Sequence, residues 1–151
     1  MGCHLGSCDG SRSIRLVGRI PGILPPVRLD RDRLLRVFQN LLENAIQHSR
    51  PNDEVVLEGR VLGTNGRQWI ECLVADSGPG FQADDLPHLF QPFFSRRRGG
   101  TGLGLSIVHQ IAQEHGGEIV AANRPEGGAL MTVRLPVCDG AAAAEEADGG
   151  V

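Results

Sequence analysis

Four polar side chains in one stretch pose the first chemical question. Asn40, Asn44, Gln47 and His48 stand at i, i+4, i+7 and i+8, so a helix through them carries all four on one face. Short carboxamides are poor mid-helix residues, and a run of them needs a reason. A face that merely met solvent would carry Glu and Arg; carboxamides and an imidazole point to ligand contact. The carbonyl oxygen of Asn44 is a hard ligand, suited to a Mg²⁺ held mainly by phosphates and water. Glu43 projects about 100° away from Asn44 on the helical wheel and belongs to the surface.

A second group lies in the stretch DSGPGFQADDLPHLFQPFFSRRRGGTGLGL, from Asp76 to Leu105. Asp76 ends an apolar strand-like run, IECLVAD. A carboxylate there either closes a plain turn or accepts a hydrogen bond from an exocyclic amine such as that of adenine. Gly78 and Gly80 let the backbone approach a flat base closely. Further on, Gly100, Thr101, Gly102, Leu103 and Gly104 precede a helical pattern, and backbone N–H groups at a helix start form an anion site. The dinucleotide fingerprint G-x-G-x-x-G fails on context, because no strand immediately precedes these glycines and no βαβ unit follows. Arg96, Arg97 and Arg98 stand just before them, as a solvated charge run or as fork-shaped donors to phosphate oxygens. Phe90, Phe93 and Phe94 are expected to hinge this basic loop on the core. His109 reads as structural, while His88 and His115 fall at element ends.

Composition narrows the chemistry. The chain has 151 residues and a net charge of −3, enough for one domain and without the basic excess of a nucleic-acid binder. It contains no lysine: all 15 basic residues are Arg. The lysine-dependent phosphate loop G-x-x-x-x-G-K-[ST] is therefore excluded. Tyr is absent as well. No apolar run reaches membrane-spanning length and the N-terminus has no signal-peptide core, so a cytoplasmic location without membrane contact is expected. Of the 4 cysteines, Cys72 reads as a packed thiol, and Cys3 and Cys8 lack the spacing of a zinc site.

These groups need a scaffold. Residues 1–12 are read as an unstructured N-terminus and 137–151 as a disordered tail, flanking one domain at 13–136. Ser13 to Ile20 reads as an edge strand. A strong helix follows, capped by Asp30, with Leu34, Val37, Phe38, Leu41, Leu42, Ala45 and Ile46 as its apolar stripe. Val55 to Leu62 and Gln68 to Ala75 form a hairpin around Asn65-Gly66. Ala83 to Leu89 is a weak helix and Thr101 to His115 a strong one ended by Gly116-Gly117. Glu118 to Ala122 and Leu130 to Leu135 close the chain as a strand pair. The order predicts an α+β two-layer sandwich, a mixed sheet with its helices on one face.

Together the pieces resemble the ATP-binding catalytic domain of bacterial sensor histidine kinases, in the superfamily of gyrase, Hsp90 and MutL ATPases. The resemblance runs from about Leu29 to Pro136. NLLENAIQHS (Asn40–Ser49) resembles the family's N box, DSGPG (Asp76–Gly80) its first glycine box, LFQPFF (Leu89–Phe94) its F box, and GGTGLGLSIV (Gly99–Val108) its second glycine box. The resemblance implies a Bergerat-type fold with ATP between helices and a short flexible lid. It implies Asn44 as Mg²⁺ ligand, Asp76 as partner of the adenine amine, Asn40 near the phosphates, Gly102 and Gly104 against them, and Arg97 in the lid. Gln47 and His48 replace a common Lys and a common aromatic residue of the family. ATP-hydrolysing relatives carry a Glu base four residues before the Mg²⁺ ligand; Asn40 stands there and is no base. The implied activity is transfer of the ATP γ-phosphate to a histidine of a separate dimerisation domain, ahead of a response regulator. No helical hairpin with an acceptor His is legible before the first helix, so the expectation is either a fragment of a longer kinase or an acceptor His supplied in trans. An anti-sigma-type Ser/Thr switch kinase and a nucleotide sensor without kinase activity are the alternatives.

Overall fold

The computed structural model describes residues 4–5, 14–22, 25, 30–64, 66–94 and 104–137, the first two and residue 64 by their backbone alone. Helix α1 (Arg31–His48) starts where Asp30 accepts hydrogen bonds from the N–H groups of Asp32 and Arg33. That satisfies two of the donors a helix start leaves open. It ends at Ser49, whose hydroxyl donates to the Ala45 carbonyl. Its spacing of apolar residues buries Val37, Leu41 and Ala45 on one side. The polar quartet is thereby turned away from the core, with Asn40, Asn44 and His48 half-buried and Gln47 exposed.

Strands β1 (His4–Leu5), β2 (Arg15–Arg19), β3 (Glu54–Thr64), β4 (Arg67–Ala75), β5 (Glu118–Asn123) and β6 (Ala129–Pro136) build one sheet in the order β1-β2-β3-β4-β6-β5. The sheet is mixed: β2 and β3, joined through α1, run parallel, and every other pair is antiparallel. The expected hairpin is β3–β4, with Thr64 opposite Arg67. Two differences from the sequence reading stand out. His4–Leu5, inside the segment read as unstructured, pairs with Val17 and Leu16, so β2 is not the outermost strand. The weak helix expected at Ala83 to Leu89 is a turn followed by one short 3-10 segment, Leu86–His88. Pro87 lacks the N–H that a longer helix would need there.

Alternation along the strands separates two faces. Val55, Val74, Ile119, Met131, Val133 and Leu135 join Val37, Leu41, Ala45, Val108 and Ile111 of the helices in one core, with Cys72 packed against it. Burial, and then the neighbouring Glu71 carboxylate, push the Cys72 thiol above its ordinary pKa. Helix α2 (Gly104–Glu114) packs beside α1. His115 ties the two, accepting from the Asp30 N–H at its Nε2, 3.2 Å away, while its Nδ1 lies 2.7 Å from the Ile111 carbonyl. Arg33 and Glu114 form an ion pair across the same junction. The two-layer α+β arrangement expected from the element order is the observed one.

The opposite sheet face carries a row of alternating charge that the apolar strand pattern hid. Arg60, Glu71, Arg134 and Glu118 are direct cross-strand neighbours on β3, β4, β6 and β5. Arg60 Nε donates to Glu71 Oε1 at 2.6 Å and Arg134 Nε to Oε2 at 2.7 Å, leaving the Glu71 residue 2% exposed. Burial raises the Glu71 pKa, but the hydrogen bonds and charges of Arg134 and Arg60 outweigh it and hold the carboxyl below its ordinary value. A depressed carboxyl stabilises the fold above its unfolded-state value, and that stabilisation is lost as pH falls through the folded-state value. Both arginines are themselves two-fifths or more exposed, so solvent limits the effect to about 1–2 kcal/mol. Glu71→Gln is expected to lower stability by that amount at neutral pH. The gap between variant and wild type should close as the pH falls below the ordinary carboxyl value of 4.5. Urea unfolding across pH 3–7, a range chosen around the ordinary carboxyl pKa, checks this; a gap constant with pH would show that the carboxylate charge contributes nothing.

Candidate functional site

Asp76 follows β4 directly and is 3% exposed. Its Oδ1 accepts from two backbone donors, Gly78 N and Ala129 N, each at 3.0 Å. Its own N–H donates to the Ala129 carbonyl at 3.0 Å, and its carbonyl accepts from Arg124 Nη1 at 2.8 Å. The carboxylate is thus fixed by one oxygen. Among the described residues, Oδ2 takes no hydrogen bond. A carboxylate pinned by one oxygen, with the other unbonded among the described residues, is an arrangement that would read an exocyclic amine. That favours base recognition over a plain turn.

The glycine turn joins this carboxylate to α1. A Cβ on Gly78 would lie 2.2 Å from the His48 carbonyl oxygen, so the turn sits directly on the end of the helix. His48 Nδ1 lies 2.7 Å from the Asn44 carbonyl, and its ring meets Phe81 edge-on with centroids 6.0 Å apart. The Asn44 carboxamide has no partner among the described residues. By donor type its oxygen could hold a hard cation, and the side chain of the exposed Gln47 could meet a ligand. Asn40 Nδ2 donates to the Gly104 carbonyl at 3.4 Å, which brings the start of α2 to the same face of α1. Glu43 stays outside, exposed and bonded to Gln39, as its place on the helix predicts.

The structure therefore gathers Asn40, Asn44, His48, Asp76, Gly78 and Gly104 around the second half of α1, while Gly80 lies against Asn123 and Gly128. Arg97, Gly100, Thr101, Gly102 and Leu103 lie outside the described residues, as do Arg96, Arg98, Cys3 and Cys8. The aromatic cluster divides. Phe90 packs against the core and stacks on His109 at 5.5 Å, which gives that histidine its structural role. Phe93 is 77% exposed with φ of 65°, so it anchors nothing. The expectation that the three phenylalanines hinge the basic loop on the core is corrected for Phe93; Phe94 is half-buried, its ring centroid 5.9 Å from that of His88.

The other half of the support comes from the β5–β6 turn, read in the sequence only as a turn. Arg124 holds the Asp76 carbonyl and also pairs with Glu126 at 2.8 Å. The Glu126 backbone N–H first, and Arg124 second, keep the Glu126 carboxyl below its ordinary range. Asn123 bonds both polar groups of the Phe81 backbone.

Residues 29–139 match the family described as histidine kinase-, DNA gyrase B- and HSP90-like ATPase. The chain belongs to this family. Among curated relatives, sensor histidine kinase ZraS of Escherichia coli (strain K12) is 38% identical over 127 residues, 84% of this chain and 26% of that protein. The histidine-protein kinase AfsQ2 of Streptomyces coelicolor is 44% identical over 128 residues, 82% of this chain and 22% of that protein. The chain spans about a quarter of the length of these kinases. The catalytic domain of histidine kinase ThkA superposes with a TM-score of 0.72 at 31% identity, covering 82% of this chain and 80% of that one. Within the ATPase family the chain accordingly aligns with the catalytic domains of sensor histidine kinases. Full-length ShkA, solved with AMPPNP, matches 83% of this chain and 26% of that one, at 26% identity and a TM-score of 0.71. No helix among the described residues is long and apolar enough to cross a membrane.

Proposed function

We propose that this domain binds Mg·ATP and delivers the γ-phosphate to a histidine on a dimerisation domain, from which a response regulator takes it. The observation that carries the reading is the convergence on α1. One helix face meets the Asp76 turn through Gly78 and the second glycine run through Asn40 and Gly104. Base end and phosphate end of a nucleotide would thus share one rigid support.

In this reading Asp76 Oδ2 accepts from the adenine amine, Gly78 and Gly80 leave room for the ring, and Asn40 orients the start of α2. Gln47 and His48 flank the phosphates from α1, and Arg97 and the amides from Gly100 to Gly104 meet phosphate oxygens. Asn44 and phosphate oxygens fit Mg²⁺ by donor type, and the ion would neutralise charge developing on the transferred group. The chain supplies positioning and charge complementarity; Asn40 cannot act as a base for water, which favours transfer over hydrolysis.

Calorimetry tests the site. Wild type is expected to bind ATP more tightly with Mg²⁺ than in EDTA, and Asn44→Ala to lose that enhancement, about tenfold or more, while its affinity in EDTA stays the same. No heat with wild type, or full enhancement in Asn44→Ala, would sink the assignment. With a kinase dimerisation domain supplied in trans, the phosphoproduct should be acid-labile. An acid-stable product would identify a Ser/Thr kinase instead.

A further inference from the structure

Resting on the reading of Asp76 to Gly80 as the base end of the nucleotide site, we propose that Asn123 is a positioning residue for that end. Its carboxamide clamps the backbone of Phe81 and so fixes the glycine turn against α1. Asn123 is the last residue of β5, paired with Ala129 across the β5–β6 ladder. Its Oδ1 accepts from Phe81 N at 2.7 Å and its Nδ2 donates to Phe81 O at 2.8 Å, across 42 residues of sequence. One side chain thus satisfies both polar groups of one residue, as two strands do for each other. Only a side-chain amide offers an acceptor and a donor side by side in this way; a carboxylate lacks the donor.

The turn is shaped to admit the clamp. Gly80 has φ of 78°, and a Cβ there would lie 2.7 Å from Asn123 Oδ1. Beyond the clamp, the Phe81 ring lies edge-on to His48, whose Nδ1 approaches the Asn44 carbonyl. Asn123 therefore links β5, through Phe81, to the polar face of α1. Next to it, Arg124 holds the Asp76 carbonyl, so two consecutive residues fix both ends of the glycine turn. Asn123 is exposed, and exposed neutral hydrogen bonds add little to global stability. Its two bonds instead select one conformation of a loop that lies outside the helices and strands.

The test is titration calorimetry on the full chain with ATP and with ADP, each with Mg²⁺ and in EDTA, for wild type, Asn123→Ala and Asn123→Asp. Asn123→Asp keeps the acceptor for Phe81 N but sets an oxygen against Phe81 O. Both variants are expected to bind about five- to tenfold more weakly, a size set by the loss of one or two neutral hydrogen bonds. The factor should be the same for ATP and ADP, with and without Mg²⁺, because the base end is common to all four. Thermal unfolding should move by no more than a few degrees. Wild-type affinity in both variants overturns the proposal, as does a loss that changes with Mg²⁺ or with the γ-phosphate. So does an unfolding shift large enough to empty the folded state at the assay temperature. If wild type itself binds neither nucleotide, the base-site reading fails, which is a separate result.

Discussion

Asp76→Asn should weaken ATP binding about 10- to 100-fold while leaving the fold within about 1 kcal/mol of wild type, an effect of the size of one hydrogen bond to a charged group. The separation follows from how the two carboxylate oxygens are used. Oδ1 accepts from Gly78 N and Ala129 N, and an Asn carbonyl oxygen can take both bonds over. The amide nitrogen must then stand where Oδ2 stood. It is a donor, and an adenine amine approaching it is a donor too. Asp76→Ala should behave differently. It leaves two N–H groups without an acceptor beside a residue that is 3% exposed, which costs about 2–4 kcal/mol on top of the binding loss. Calorimetry with ATP and urea unfolding on both variants decide the matter. Equal stability losses in Asn and Ala, or unchanged affinity in Asn, would show that Asp76 closes a turn and reads no base.

The contrast between these variants could not be drawn from the sequence, and the reason is physical. Local periodicity marks α1, because burial repeats every third or fourth residue and leaves Asn40, Asn44 and His48 on the other side. It marks Asp76 and Gly78 as a turn after an apolar strand. What Asp76 is bonded to depends on Ala129 and Arg124, which lie 53 and 48 residues away. Those partners are set by the register of β4 on β6 and of β5 on β6, and register is a property of the assembled sheet. Glu71 is a similar case. In IECLVAD it looks like an interruption of an apolar run, and only the cross-strand neighbours Arg60 and Arg134 make it a buried carboxylate. The four family boxes, by contrast, are legible because each is a contiguous string.

Gly128→Ala should have the largest effect on stability of any single methyl added to this site. Gly128 has φ of 97°, and a Cβ there would lie 2.0 Å from the Asp76 carbonyl oxygen, 2.8 Å from its carbon and 3.0 Å from Ser77 Cα. All three are backbone atoms, so no side chain can swing aside. Moving Asp76 breaks its hydrogen bonds with Ala129 and Arg124; moving Gly128 pulls the start of β6 away. The sum of backbone strain and overpacking is about 3 kcal/mol or more. That corresponds to a fall of roughly 10 °C in Tm for a domain of this size. Gly127 supplies the control. Its φ of 105° is equally unfavourable for an L residue, but a Cβ there meets nothing within 4 Å. Gly127→Ala therefore carries the conformational strain alone, about 1–2 kcal/mol, and should keep ATP affinity. Gly128→Ala should lose it along with stability, because the same displacement releases the Asp76 carboxylate. If the two alanine variants unfold at the same temperature, contact with Asp76 is not what requires glycine at position 128.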